Sequence, residues 1–290
     1  MGMAGTSSRP EASGAADFER GQREVIEQIA TGAPLPQILE RIVLLIEAQA
    51  HDMTCSILLV DAERRCVRHG AAPHLPAPFN AAIEGQPIGP GQGSCGTAAF
   101  LGERVIIEDI ATHPYWTAYK DSALPFGLRA CWSSPIFSID RVVLGTFAMY
   151  YREARGPRAD ERAWVDRATH LAFSAIERER ASATLRAQEM RIAEQAALLD
   201  QATDAIFVCD LAGTVRYWNR GAERLCGCAR AEAVGRPVAE LVHGGGRAPE
   251  DAVRVLHERG AWSGELTHVT KAGAKLEIEG RWTLLRDPAG

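Results

Sequence analysis

The residues best suited to chemistry in this 290-residue chain lie between Gly91 and Trp132. Gly91-Gln92-Gly93-Ser94-Cys95-Gly96-Thr97-Ala98-Ala99 is a Gly-rich turn running into small residues, with the thiol of Cys95 at its centre. If Thr97-Ala98-Ala99 opens a helix, its free backbone N–H groups make a ready site for a small anion. Tyr115, Trp116 and Tyr119 supply an aromatic wall, and Gly96 and Thr97 bound the opposite side. Arg129 can pair either with a ligand carboxylate or with Asp109, and Trp132 either lines the pocket or fills the core. Cys95 with Cys131 could instead act as redox thiols, although Cys95 alone reads as a small buried residue in a tight turn. The expected occupant is a small anion or a small organic ligand, with no resident cofactor.

Such a pocket needs a sheet to carry it. Apolar runs at 104–108, 129–137 and 142–150 predict strands around the turn, and Met53 to Val60 with Cys66 to Gly70 predicts a hairpin before it. Two helices are expected earlier, Phe18 to Ala30 and Leu35 to Ala50. In the second, Leu35, Ile38, Leu39, Ile42, Leu45 and Ile46 recur at helical spacing, with Pro34 and Pro36 suiting its start. From Pro157 to about Gln201 the pattern is one long helix. Leu185, Ile192 and Leu199 are spaced by seven, which suggests a homodimer seam, while Arg178 breaks the same line. Beyond it, strands at 205–210 and 215–219, a short helix Arg220 to Leu225, a flexible Gly244-Gly245-Gly246, a helix Pro249 to Arg259 and a hairpin across Lys271-Ala272-Gly273 form a second module.

The bulk properties exclude several classes. Apolar content of 46% and charged content of 24% are those of an ordinary globular protein, and the length suggests about two domains. A net charge of −5 without a Lys/Arg cluster argues against a nucleic-acid partner. No apolar run approaches the ~18 residues of a membrane span. Seven cysteines at unpaired spacing suit a reducing, cytoplasmic compartment, and residues 1–16 read as a disordered leader.

Two family resemblances cover nearly all of the chain. Residues 18–176 resemble a GAF domain, on the 91–99 stretch, Val105-Ile106-Ile107-Glu108-Asp109-Ile110, Gly127 to Ile136 and Val143 to Tyr150. Residues 196–290 resemble a PAS domain, on Asp204 to Asp210, Trp218-Asn219-Arg220-Gly221-Ala222-Glu223-Arg224-Leu225 and Trp262-Ser263-Gly264-Glu265. The resemblance implies an α+β chain of two antiparallel-sheet sensor domains joined by a long helix. The domains are expected at 17–156 and 202–290, with the helix at 157–201. It also implies a fragment of a bacterial sensor histidine kinase or cyclic-di-GMP signalling protein, relaying to an output domain beyond this chain. The second sheet reads as one strand short, so the full protein is expected to continue.

Within those families, particular activities find little support. Free methionine-(R)-sulfoxide reductases share the Gly91 to Gly96 pattern apart from Ser94. Their catalytic Cys precedes a segment similar to Asp121-Ser122-Ala123, where this chain has Tyr119-Lys120, and neither a phenol nor an ammonium can close a disulfide. Trp132 follows Cys131 where bilin sites carry His, the flavin-linking motif is missing around Cys226 and Cys228, and the PAS candidates for a haem ligand, His243 and His257, do not lie where haem-binding PAS sensors carry theirs. The chain therefore reads as a sensor and not as an enzyme. A thiol redox enzyme and a ligand-free dimerisation module are the alternatives.

Overall fold

A computed structural model describes residues 10–242 and 249–285. The chain divides at Thr184/Leu185 into two compact units. In the first, helices α1 (Pro10–Thr31) and α2 (Leu35–Glu47) precede strands β1 (Met53–Asp61) and β2 (Cys66–Ala71). Helices α3 (Ala77–Ile83) and α4 (Gly93–Leu101), strand β3 (Val105–Ile107) and the short helix α5 (Lys120–Ala123) lead to strands β4 (Ala130–Phe137) and β5 (Val143–Tyr151). Helix α6 (Ala159–Gln201) follows. The first helix starts at Pro10, eight residues before the expected Phe18 and inside the stretch read as a leader. Proline is tolerated in a first helical turn, because its missing N–H would have no partner there, and Glu- and Ala-rich sequence continues the helix.

The five strands form one antiparallel sheet in the order β2-β1-β5-β4-β3. Both faces are covered, so the central strands are apolar throughout and alternation decides only which side each residue serves. Cys55, Ile57, Trp132, Ile136, Phe147, Met149 and Tyr151 pack on one face against α1, α2 and the first half of α6. Leu58, Val105, Ile107, Cys131, Ala148 and Tyr150 pack on the other, against α3, α4 and the segment around Trp116. Helix α6 buries Val165, Ala168, Leu171, Ala172, Ala175 and Ile176, a stripe at helical spacing that ends at Ile176. Farther along, Leu185, Met190, Ile192, Leu198 and Leu199 are exposed.

The second unit contains the antiparallel pair β6 (Phe207–Cys209) and β7 (Val215–Trp218), helices α7 (Arg220–Cys226), α8 (Arg230–Ala233), α9 (Val238–Val242) and α10 (Glu250–Arg259), and the hairpin β8 (Ala261–Val269) with β9 (Lys275–Thr283). Trp262 and Trp282 are directly opposed in that hairpin, with ring centroids 4.8 Å apart. Fully buried Asn219 organises this unit. Its Oδ1 accepts from Ala222 N (2.8 Å), capping α7, and from Ile206 N (2.8 Å), while Nδ2 donates to the carbonyls of Leu199 and Asp204. Asn219→Ala leaves two buried N–H groups and two carbonyls short of a partner. It is expected to lower the stability of this unit by about 2–3 kcal/mol, read by urea denaturation of the full chain. His243 and the Gly244-Gly245-Gly246 stretch lie outside the described residues.

Candidate functional site

The Gly-rich stretch is a helix from Gly93 onward and not a turn ending at Thr97. Residues 87–92 run directly against its first turn. A side chain at Gly96 would come within 2.6 Å of the Pro87 carbonyl oxygen, and Gly93 adopts a φ of +59°, so glycine is required at both places for different reasons. Thr97 therefore lies within the helix, and the anion cradle expected at 97–99 does not form, because those N–H groups fall inside the helical ladder. Three hydrogen bonds fasten the helix start instead. Gln92 N donates to Thr97 Oγ1 (3.1 Å), Gln86 Nε2 donates to the Gln92 carbonyl (2.9 Å), and the Tyr119 hydroxyl donates to Gln92 Oε1.

Below α4 lies a cavity of about 10 Å³, room for a single water, bounded by Gln86, Ser94, Cys95, Trp116, Tyr119 and Tyr150. Trp116 closes it: its Nε1 donates to Ser94 Oγ (2.9 Å), which in turn donates to the Cys131 carbonyl (3.3 Å). The sheet beneath carries an unusual number of polar groups for a core. Ser56, Ser133 and Thr146 are fully buried; the Ser56 hydroxyl lies 3.5 Å from that of Tyr150, and the hydroxyls of Ser133 and Thr146 face the Cys95 thiol. The strand register explains the grouping, since Ser56 and Ser133 both face Ala148 across neighbouring strands, and Thr146 and Tyr150 flank Ala148 on the same face.

Cys95 points from α4 onto this polar floor. Its thiol lies 3.9 Å from the Tyr150 hydroxyl, in the same core as Cys131. The bond from Cys131 holds the Cys95 thiol below the ordinary range against the opposing effect of burial, with further help from the Ser133, Thr146 and Tyr150 hydroxyls. Burial, then the neighbouring Cys95, pushes Cys131 well up. No Lys or Arg borders the cavity.

The expected site residues divide accordingly. Cys95, Gly96, Thr97, Trp116 and Tyr119 gather at the cavity or the helix start. Tyr115 packs partly buried against the same core, edge-on to His113 with ring centroids 4.9 Å apart. Arg129 is exposed and pairs with Asp109 through contacts of 3.1 and 3.2 Å, so it serves the surface and not the cavity. Trp132 sits on the opposite face, where its Nε1 donates to the Arg155 carbonyl (3.3 Å). Adjacent residues on a strand point to opposite sides, so Cys131 and Trp132 could never share one pocket. An open surface cleft of about 570 Å³ beside Glu108, Asp109, His113 and Arg162 gathers charge but lies away from the thiols.

A model of the GAF domain matches residues 32–177, half of the chain. The chain belongs to the GAF domain family. A model of the PAS fold matches residues 193–290, so the GAF domain is followed by a PAS domain, with the two joined by the long helix α6. A curated methyl sulfide methyltransferase-associated sensor of Methanosarcina acetivorans is 35% identical over 187 residues, covering 64% of this chain and 18% of that protein. The chain thus spans about a fifth of the length of the relative it matches. Among solved structures, the GAF domain of a phosphoenolpyruvate-protein phosphotransferase from Coxiella burnetii is 22% identical, with 59% of this chain and 98% of that one covered and a TM-score of 0.46. Free methionine-R-sulfoxide reductase of Neisseria meningitidis, in complex with its substrate, is 16% identical, with 62% and 98% covered and a TM-score of 0.47. Likenesses at that level add nothing to the family assignment.

Sequence reading overlooked the floor of the GAF site: Ser56, Ser133, Thr146 and Tyr150. The available signal was polar residues recurring every second position inside otherwise apolar runs, as in Cys131-x-Ser133 and Thr146-x-Ala148-x-Tyr150. In the PAS domain, His257 is exposed on α10. His268, which sequence reading passed over, is fully buried, and its Nδ1 donates to the Val242 carbonyl at 2.7 Å. Among the described residues no group of three His, Cys, Asp or Glu side chains could hold a metal ion, and no helix is long and apolar enough to cross a membrane.

Proposed function

We propose that this chain is the sensory part of a longer, cytoplasmic signal-transduction protein. The GAF domain detects a small molecule beneath α4, and α6 passes the change through the PAS region to an output domain outside this chain, of histidine kinase or diguanylate cyclase type. The observation that carries this reading is the polar floor of Ser56, Ser133 and Thr146 under a nearly closed cavity. Burying hydroxyls costs stability unless strong hydrogen bonds replace those to water, and folds keep such groups where binding or chemistry uses them. With no cation at its border, the cavity suits a small neutral hydrogen-bonding molecule better than the anion expected from sequence. The domain need not be rigid for this, since a ligand can select a minor open state.

Relay through α6 requires that the helix be read by something. The exposed Leu185, Ile192 and Leu199, one heptad apart, suit a second copy of the same helix. Native mass spectrometry of the full chain is the direct test. A dimer carrying extra non-covalent mass supports the reading, while a bare monomer at micromolar concentration overturns the dimer relay. Ile192→Asp places a charge in the seam and is expected to weaken the dimer about 100-fold, roughly 3 kcal/mol, in sedimentation equilibrium. An unchanged dimer would remove the seam from the proposal.

A further inference from the structure

We propose that the open cleft between the edge strand β3 and the start of α6 is a second binding site, for a free amino acid with an apolar side chain. Its carboxylate would be held by Arg162 and His113 and its ammonium by Glu108. The cleft, about 570 Å³, is within the size range of small-molecule sites. It carries both signs of charge in a form that only a ligand of both signs can satisfy. Among the described residues, neither the Glu108 carboxylate nor the Arg162 guanidinium has an ion-pair or hydrogen-bond partner, and they do not reach each other. Pairing is otherwise the rule in this neighbourhood. Asp109 holds Arg129 through contacts of 3.1 and 3.2 Å, and Arg104 holds Asp166 at 2.7 Å.

Geometry explains why the one pair forms and the other does not. Arg104 and Glu108 stand at the two ends of β3, four residues apart, and Arg162 and Asp166 stand one turn apart on the same face of α6. Four residues of strand span ~13 Å and four of helix ~6 Å, so a pair met at one end leaves a gap of roughly 7 Å at the other. The Arg104–Asp166 contact closes the first end, and the cleft is the second. The remaining walls suit the proposed occupant. Ile106, 36% exposed between the two charged ends of the strand, and Pro157 opposite offer an apolar surface for a side chain. The Tyr115 N–H donates to His113 Nδ1 at 3.2 Å, which leaves the Nε2 hydrogen of the neutral ring to donate to a carboxylate beside Arg162. Glu108 is set close over Gly156, where a Cβ would fall 2.8 Å from its Oε1. An occupant would touch both the sheet edge and the first turn of α6, so binding here bears on the long helix independently of the cavity beneath α4.

Isothermal titration calorimetry of the full chain tests this with L-leucine, L-valine and L-phenylalanine as probes. At least one is expected to bind saturably with a Kd of about 1 mM or tighter. Its N-acetyl form, which lacks the ammonium, and its amide, which lacks the carboxylate, are each expected to bind at least about tenfold more weakly, because each strands one charge in the cleft. Glu108→Gln and Arg162→Gln are expected to weaken the parent amino acid by a similar factor. Gly156→Ala, which displaces the Glu108 carboxylate, is expected to act in the same direction. Both charged side chains are exposed, so unchanged melting temperatures of the variants separate lost binding from lost folding. The blocked ligands decide the matter on the wild type alone if a variant fails to fold. No saturable binding of the three probes up to about 10 mM overturns the inference, as does equal affinity for the parent and its blocked forms. Binding that Trp116→Phe abolishes while Glu108→Gln and Arg162→Gln leave it intact would place the ligand beneath α4, overturning this inference and supporting the sensor reading.

Discussion

Glu161→Ala is expected to destabilise the GAF domain by about 3–5 kcal/mol, the usual cost of stranding one partner of a buried ion pair. Glu161 is 1% exposed in the first turn of α6. Its two oxygens take a paired contact from Arg155, at 2.5 and 3.0 Å, and a bond from Arg158 N at 2.6 Å. Arg155 in turn lies over the ring of Tyr151, 3.7 Å from its centroid, and 5.0 Å from that of Trp132. The pair thus ties the end of β5 and the opposite-face tryptophan to the start of the long helix. Removing only the carboxylate leaves a guanidinium buried beside two rings with Asp52, 3.7 Å away and half-exposed, as its remaining counter-charge. Urea denaturation measures the loss. Replacing both partners at once, Arg155→Met with Glu161→Leu, is expected to recover most of it, because the desolvation cost disappears with the charges. A double variant as unstable as Glu161→Ala would mean that the rings, and not the charges, need Arg155.

The same pair sets a pH dependence. Burial alone would raise the Glu161 pKa, but the Arg155 bonds and the Arg158 N–H outweigh it and hold the group below its ordinary 4.5. A carboxylate depressed in the folded state contributes stability that is present above about 4.5 and lost as pH falls through the lower folded value. Acid melting curves of the wild type should therefore drop in that window. Those of Glu161→Gln should be flatter there and lower at neutral pH.

Trp116→Ala is expected to cost about 3–5 kcal/mol, through lost burial and the cavity left behind. Trp116 is 3% exposed and makes the roof of the site, and its indole N–H holds Ser94 over the Cys131 carbonyl. Its removal enlarges the one-water cavity into a space the size of an aromatic ring. Added indole is then expected to raise the melting temperature of the variant but not of the wild type, since only a ligand that binds the folded state stabilises it. Trp116→Phe keeps most of the packing and loses one hydrogen bond, for an expected cost of about 1–2 kcal/mol. Equal melting temperatures for wild type and Trp116→Ala would show that the roof contributes nothing to the fold.

Much of the architecture could be read before any coordinates. Apolar runs separated by Gly, Pro and Asp turns placed the nine strands of the described residues within a few positions, and the uninterrupted stretch after Pro157 was one helix. Motif resemblance identified both domains and their order. The site was legible only in part. Gly91 to Gly96 looked like a turn because three glycines in six residues are poor helix formers taken alone. The helix forms because α4 packs on the sheet while residues 87–92 cross it too closely for any side chain at Gly96. Glu161 stands in the first turn of α6, where an acid favours the helix start, and nothing local signals that Arg155 folds back over it.

What the sequence determined by itself was therefore whatever depends on neighbours along the chain: strand and helix periods, turn positions, the heptad spacing of Leu185, Ile192 and Leu199, and the family patterns. What only the tertiary structure decided was sidedness and partnership. A sheet buried on both faces gives strands that are apolar throughout, so the pattern of β4 could not say whether Cys131 or Trp132 met α4. That choice follows from which helices cover which face, a property of packing across 30 or more residues of chain. It puts Cys131 in the same core as Cys95 and sends Trp132 to Arg155, because successive side chains on a strand must point in opposite directions.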